Sequence, residues 1–337
     1  MKVRFSPEVV QTEEHWWALS RILDRFEEGA HHWEVDDPKA LLTSPWIQGE
    51  AGSREGRRTT AILKKVLVHG LYQAAKGPRH SISLTVSTTE QPPHALLPTD
   101  ALDVLKSPAF VIVENGESDR AFLDCMMRVF GREALREALQ TNLWEIVSAG
   151  GGGEIPKRVA ECVRKMGKGP RRVLILSDSD RLVPGERSKT VEQIERCALD
   201  HGITAVMLLK REIENYIPLG ALQRAGRRDV YLAYLRLSHE QQDHYDMKEG
   251  FKRDKGTGEP VIPAAQQTLF AGVRPKKVLS DLRGGFGDEV WRCFVHAAEV
   301  IDEDSVCKHC TPSDLTAPGS RDPEEIPRLL DAIERLL

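Results

Sequence analysis

Two features of this sequence could do chemistry together: a set of carboxylates and a run of glycines. Asp178 and Asp180 stand one residue apart in RRVLILSDSDRLVPGE, directly after the apolar stretch Val173–Ser177. Glu114 closes AFVIVE, and Glu212 and Glu214 lie in KREIENYIP, just after ITAVMLL. Gly150–Gly153 follow LWEIVSA. Carboxylates crowded at one place disfavour one another's charge unless protons or cations intervene. Oxygen-only donors suit hard cations such as Mg²⁺ or Mn²⁺. Two such ions, roughly 4 Å apart, clamp the attacking and leaving oxygens of a phosphodiester. Cations also reverse the local field, so an acidic site can hold a polyanion.

The elements that must position these groups follow from the hydrophobic rhythm. From Ala109 onward, apolar runs alternate with amphipathic stretches: AFVIVE, SDRAFLDCMMRVFG, LWEIVS, EIPKRVAECVRKMG, RRVLILS, KTVEQIERCALDHG, ITAVMLL. This predicts βαβαβαβ, with Ser118 as a helix cap and Gly202 at a helix C-terminus. Strands apolar on both faces imply a parallel sheet covered by helices on both sides. Ligands of such sheets bind beyond the carboxyl ends of the strands. Acids follow three of the four predicted strands, and the glycines follow the other. Asp-x-Asp leaving a strand aims both acids into one mouth, because residues i and i+2 share a face. The glycines read as a flexible turn, or as a loop offering backbone N–H groups to a phosphate.

Bulk properties narrow the class. The chain has 337 residues, 40% hydrophobic and 29% charged, with a formal net charge of −4. That is globular composition and excludes a basic nucleic-acid coat. A local basic run from Lys157 to Arg172, with Lys157, Arg158, Arg164 and Lys165 on a helix, is either a solvated face or a nucleic-acid contact. No apolar run is long enough to span a membrane, the opening residues lack an apolar signal region, and six cysteines are scattered. A cytoplasmic setting with free thiols is expected. No Gly-x-x-x-x-Gly-Lys-Ser/Thr occurs, so the sequence carries no Walker A loop.

The motifs together resemble the TOPRIM domain of topoisomerases, bacterial primases, recombination mediators and OLD-type (overcoming-lysogenisation-defect-like) nucleases. FVIVENGESDRAFL is similar to its first motif and LILSDSD to its Asp-x-Asp motif. REIENY resembles a segment of the OLD-type branch. The resemblance spans roughly residues 108–220. It implies a TOPRIM, Rossmann-like α/β sheet and metal-dependent cleavage of nucleic acid, DNA rather than RNA, in anti-phage defence. With no ATPase of its own, the chain is expected to answer to a separately encoded ATPase and to be able to form a homo-oligomer. The resemblance makes Glu114 the first metal ligand, Asp178 the bridge between two Mg²⁺ or Mn²⁺ ions, Asp180 a support and Glu214 the second-ion ligand. Ser177 and Glu212 are further candidates. The family pattern is Glu-Gly-x-x-Asp, whereas ENGESD holds one residue more. Asp119 takes the second acidic position, with Glu117 the alternative. Lys248 in YDMKEGF is the implied catalytic lysine, with Lys252 next; both could equally be surface lysines. A non-cleaving TOPRIM scaffold, as in recombination mediators, is the alternative function.

The rest divides into an N-terminal α+β docking or regulatory domain (1–105), the catalytic domain (106–222) and a mostly helical C-terminal extension that completes the site (223–337). Helices are expected over His15–Glu28 and Arg58–Ala75, and a strand over His80–Thr88. The N-terminal tryptophans read as core and His31-His32 as a surface pair. LRGGFGDEVWRCF reads as a structural turn into a helix. Cys293, His296, Cys307 and Cys310 have spacing compatible with structural zinc. A helix over Asp288–Ile301 would turn Cys293 and His296 away from its apolar face.

Overall fold

The computed structural model describes all residues except 30, 50–56, 58–59, 66–67, 69–81, 257 and 296–321. It is an α/β protein with two four-stranded sheets, each wholly parallel. The first sheet has the order β2-β1-β3-β4, from β1 (Lys2–Phe5), β2 (His32–Trp33), β3 (Ser83–Val86) and β4 (Ala95–Leu96). Helix α1 (Trp16–Glu27) and α2 (Pro98–Lys106) pack together with it. The N-terminal unit is therefore α/β rather than α+β. Three of its strands are too short or too polar to show a strand period in the sequence. Leu19, Ile22, Leu23, Trp33, Trp46, Leu84 and Leu105 share its core. Trp17 is 63% exposed, so the expected tryptophan core lacks one member. His31 is buried, and its Nε2 meets Leu105 O at 2.9 Å, so it is no surface residue. The expected Arg58–Ala75 helix falls largely outside the described residues.

The second sheet has the order β6-β5-β7-β8, from β5 (Ala109–Val113), β6 (Trp144–Ser148), β7 (Val173–Ser177) and β8 (Thr204–Met207). Central strands β5 and β7 are buried along their whole length, which is why they read as unbroken apolar runs. Their side chains still alternate. Val111, Val113, Leu174 and Leu176 face α3 (Ser118–Val129), α4 (Glu133–Gln140) and the C-terminal segment. Phe110, Ile112, Val173 and Ile175 face α5 (Ile155–Lys165) and α6 (Lys189–His201). Gly202 ends α6 at φ +62°, as the sequence predicts, and Ser188, which the sequence did not single out, caps it through Val191 N at 3.2 Å.

Residues beyond 222 form short helices α7 (Arg228–Tyr234), α8 (His239–His244), α9 (Lys276–Asp281) and α10 (Glu325–Glu334), with an antiparallel pair Lys252–Arg253/Pro260–Val261. Their apolar residues, among them Tyr234, Phe270, Leu282 and Leu330, join the core on the α3 face of the sheet. Between the two sheets, buried Arg172 at the start of β7 donates from Nη2 to Val104 O, at 3.0 Å, and to Ser107 O. A cation at the C-terminal carbonyls of α2 satisfies acceptors that the helix leaves open.

Candidate active site at the strand ends

Strand β5 lies between β6 and β7, so the chain leaves it for β6 on one side and returns as β7 on the other. The crevice beyond β5 and β7 is the topological switch point of the sheet. Glu114 follows β5 and Asp178 follows β7, and they meet there. Glu114 Oε1 accepts from Ser177 Oγ at 2.5 Å and from Asp178 N at 3.2 Å. The glycine turn wraps this residue: Gly150 N and Gly151 N donate to Glu114 O at 3.0 and 3.1 Å. Those two N–H groups hold the acid in place and are not offered to a phosphate. A Cβ on Gly152 would sit 3.1 Å from Glu114 Oε2, so the close approach explains a glycine there.

The extra residue in ENGESD is absorbed by a braced turn. Asn115 N donates to Asp119 Oδ2 at 2.9 Å, and Asn115 Oδ1 accepts from Glu117 N at 3.1 Å. Asp119 is thereby buried in the first turn of α3, and Glu117, at its N-cap, has no role in the cluster. Ser118 is not the cap; its hydroxyl donates to Asp119 Oδ1 at 3.3 Å. Asp178 is half-buried, and its Oδ1 accepts from Ile213 N at 2.9 Å. Asp180 is exposed and adopts φ +52°, with its N–H on Arg211 O at 2.9 Å. This left-handed residue, a conformation Asp tolerates better than most, ends the simple strand alternation that would have put both acids on one face.

Electrostatics shows that these acids form one group. Burial pushes the Asp178 carboxyl well above the carboxylate range, and Asp119, Glu114, Glu214 and Glu212 push it further. Burial, then Glu114 and Glu214, raise Asp119 to about 7. Burial raises Glu114 too, with Asp180 adding to the effect. Burial lifts Glu212 to about 7 against the pull of Lys248.

REIENY divides into acids that face the crevice and residues that brace the turn. Arg211 pairs with Asp246 at 2.7 Å. Asn215 Nδ2 donates to Gln242 O and Tyr245 O at 2.8 and 3.0 Å. The Tyr216 hydroxyl lies between Lys210 N, at 3.1 Å, and the Glu325 carboxylate, at 2.7–2.8 Å. These bonds bolt the turn Ile213–Tyr216 to the segment 242–247 and to α10. Glu212 Oε1 also takes Met247 N at 2.6 Å. Lys248 is thereby delivered to the acids: Nζ is 3.3 Å from both Glu212 Oε2 and Glu214 Oε1. Burial opposes its charge, but Glu212, Glu214 and Asp178 outweigh that and hold the amine above the ordinary lysine range. Lys252 is not brought in; it is 80% exposed and pairs with Glu249 at 3.5 Å.

The turn in LRGGFG has a positioning role that the sequence did not reveal. Phe286 N and Gly287 N donate to Met247 O and Lys248 O at 2.7 and 3.0 Å. A Cβ on Gly285 would lie 2.4 Å from Lys248 O, so only glycine lets the two segments approach. Glycines at 284, 285 and 287 were a visible signal for a tight turn but not for its partner. Glu325 carried no signal, since it lies 109 residues from Tyr216.

Among the described residues, no three His, Cys, Asp or Glu side chains form a ready-made metal cage. Most oxygens at the site are held by protein donors instead. The donor set nonetheless fits a hard cation: it is all oxygen and mutually repelling, and Glu214, 2% exposed, has a buried Oε2 that meets no donor. Ser177, also buried, has its hydroxyl engaged with Glu114. The four basic candidates on α5 do not act as one patch. The helix starts at the rim and runs away from it at about 1.5 Å per residue, so Arg164 and Lys165 lie toward the far side of the sheet. Lys157 and Arg158 are near the rim and pair with Glu154, at 3.8 Å, and Glu161, at 2.6 Å. Cys293 is buried in the core, its thiol raised by burial to about 11, while Val295 is 38% exposed. The segment Asp288–Trp291 is a 3₁₀ turn rather than the start of a continuous α-helix, and Cys293 faces the core instead of turning away from it. His296, Cys307 and Cys310 lie outside the described residues.

The fold and site define an α/β protein with an acidic, lysine-bearing crevice at a parallel-sheet switch point. No family model, curated protein or solved structure matches this chain. Among the described residues, no helix is long and apolar enough to cross a membrane.

Proposed function

We propose that this protein is a divalent-cation-dependent nuclease of the TOPRIM, OLD-like type, hydrolysing phosphodiester bonds of nucleic acid, DNA in preference to RNA. The observation that carries the reading is the convergence of Glu114, Asp119, Asp178, Glu212 and Glu214 with Lys248 at one switch point. Two Mg²⁺ or Mn²⁺ ions supply, when bound, charge neutralisation of the phosphate and acidification of an attacking water. Glu114, Asp119, Asp178 and Asp180 would hold cations on the strand side of the crevice, and Glu214, with Glu212, on the other. Asp178 lies between the two sides because its Oδ1 already reaches the turn that carries Glu214. Lys248 presents a positive charge to the phosphate oxygens, and Lys157 and Arg158 steer the backbone toward the rim. The motif resemblance adds control by a separately encoded ATPase in anti-phage defence, with the N-terminal unit as docking module.

The test is a cleavage assay on plasmid, linear duplex, single-stranded DNA and tRNA, with Mg²⁺, Mn²⁺ or EDTA. Wild type should cut with either ion and not with EDTA, and Asp178→Ala should not cut. Equal cutting by the two proteins sinks the proposal.

A further inference from the structure

The Glu212–Glu214 pair already holds a cation, the side chain of Lys248. Its ammonium sits symmetrically, 3.3 Å from one oxygen of each carboxylate. Glu212 and Glu214 are 6% and 2% exposed, so this charge neutralises a pair that water cannot screen. The second oxygen of Glu214 is buried without a donor, which one ammonium at this position leaves unmet. The lysine backbone cannot shift, because Gly287 N binds its carbonyl and Gly285 packs against it. Its side chain is 36% exposed, so the stem has a way out to solvent.

The geometry points to an exchange site: Lys248 is the built-in occupant of the second cation position and must leave Glu212 and Glu214 before a divalent ion binds there. An ion bound by these oxygens at about 2.1 Å would stand against the ammonium with no carboxylate between them. The two cations therefore alternate. Ion loading frees the ammonium toward the crevice mouth, where the phosphate of the substrate arrives. Unloading restores the pair and silences the lysine. Lys248 thus couples occupation of the second position to the appearance of a free positive charge for substrate. This inference rests on the nuclease reading only for the presence of divalent-ion sites.

Calorimetric Mn²⁺ titration of the full chain, wild type against Lys248→Met and Lys248→Arg, tests it without any turnover. An ion that must first displace a dominant occupant binds with its affinity reduced by the fraction of competent protein. The weaker binding step should therefore tighten about tenfold or more in Lys248→Met and stay weak in Lys248→Arg. Reductive methylation of wild type gives a second readout that needs no folded variant: Lys248 should be protected in EDTA and become reactive on saturation with Mn²⁺. Unchanged or weaker second-ion binding in Lys248→Met, or Lys248 reactivity indifferent to Mn²⁺, overturns the exchange while leaving ion binding itself in place. Absence of any ion binding to wild type overturns the exchange and the nuclease reading together.

Discussion

At the residue scale, the crevice crowds carboxylates at a cost in stability. Asp178 is pressed by four other carboxylates, and burial adds to the penalty on its charge. Asp178→Asn keeps an oxygen for Ile213 N and removes one negative charge. In EDTA it should melt a few degrees higher than wild type, while losing cleavage. A lower melting point in EDTA would falsify the account of the acids as mutually repelling. Lys248 is the counterweight, since it is the cation within reach of both Glu212 and Glu214.

At the element scale, two turns far apart in sequence are welded to place these groups. Tyr216→Phe removes a hydroxyl that serves both Lys210 N and the Glu325 carboxylate, with almost no change in volume. It should cost about 1–3 kcal/mol, read from urea unfolding. The glycine turn that clamps Lys248 makes a sharper case. Gly285 has φ +50° and would place a Cβ 2.4 Å from Lys248 O, so Gly285→Ala must move one backbone segment. We expect loss of cleavage and a melting point many degrees lower. Gly284, at φ +72°, would bring a Cβ no closer than 4.0 Å to its nearest neighbour, Arg227 Nη2. Gly284→Ala should cost only about 1–2 kcal/mol, and equal damage from both would show that backbone conformation, not crowding, sets the requirement.

At the scale of the whole molecule, the acid cluster sets how stability depends on pH. Asp119 titrates near 7 in the fold against an ordinary 3.8, and Glu212 near 7 against 4.5. Between those values the folded chain binds more protons than the unfolded chain, so stability falls as pH rises through that window and levels off above it. Exposed pairs such as Arg4–Glu34 act in the opposite sense, but solvent screens them. The metal-free protein should therefore melt higher at pH 5 than at pH 8, and Mg²⁺ should recover most of the difference at pH 8. A melting point in EDTA that rises from pH 5 to pH 8 would count against the buried acids as the controlling groups.

The second sheet was legible because its strands, with α3, α5 and α6, each carry a period that is a local property; the additional helix α4 between α3 and β6 went unread. Glu114 and Asp178 were legible for the same reason: a parallel sheet delivers strand ends to one rim whatever the loops do. Glu214 lies beyond β8 in the turn Ile213–Tyr216, and bonds to the 242–247 segment and α10 place it. The sequence could not show what depends on contacts between distant segments. It left Lys248 and Lys252 as alternatives, and the Gly284–Gly287 turn chose Lys248 by gripping its backbone. It placed Ser118 at a helix cap, where the Asn115–Asp119 brace instead moved Asp119 inside. It turned Cys293 outward, where packing against the second core turned it in. Periodicity tells which face of an element is apolar. Which partner segment covers that face, and hence which polar side chain is carried into the crevice, is decided only when long-range packing closes the chain on itself.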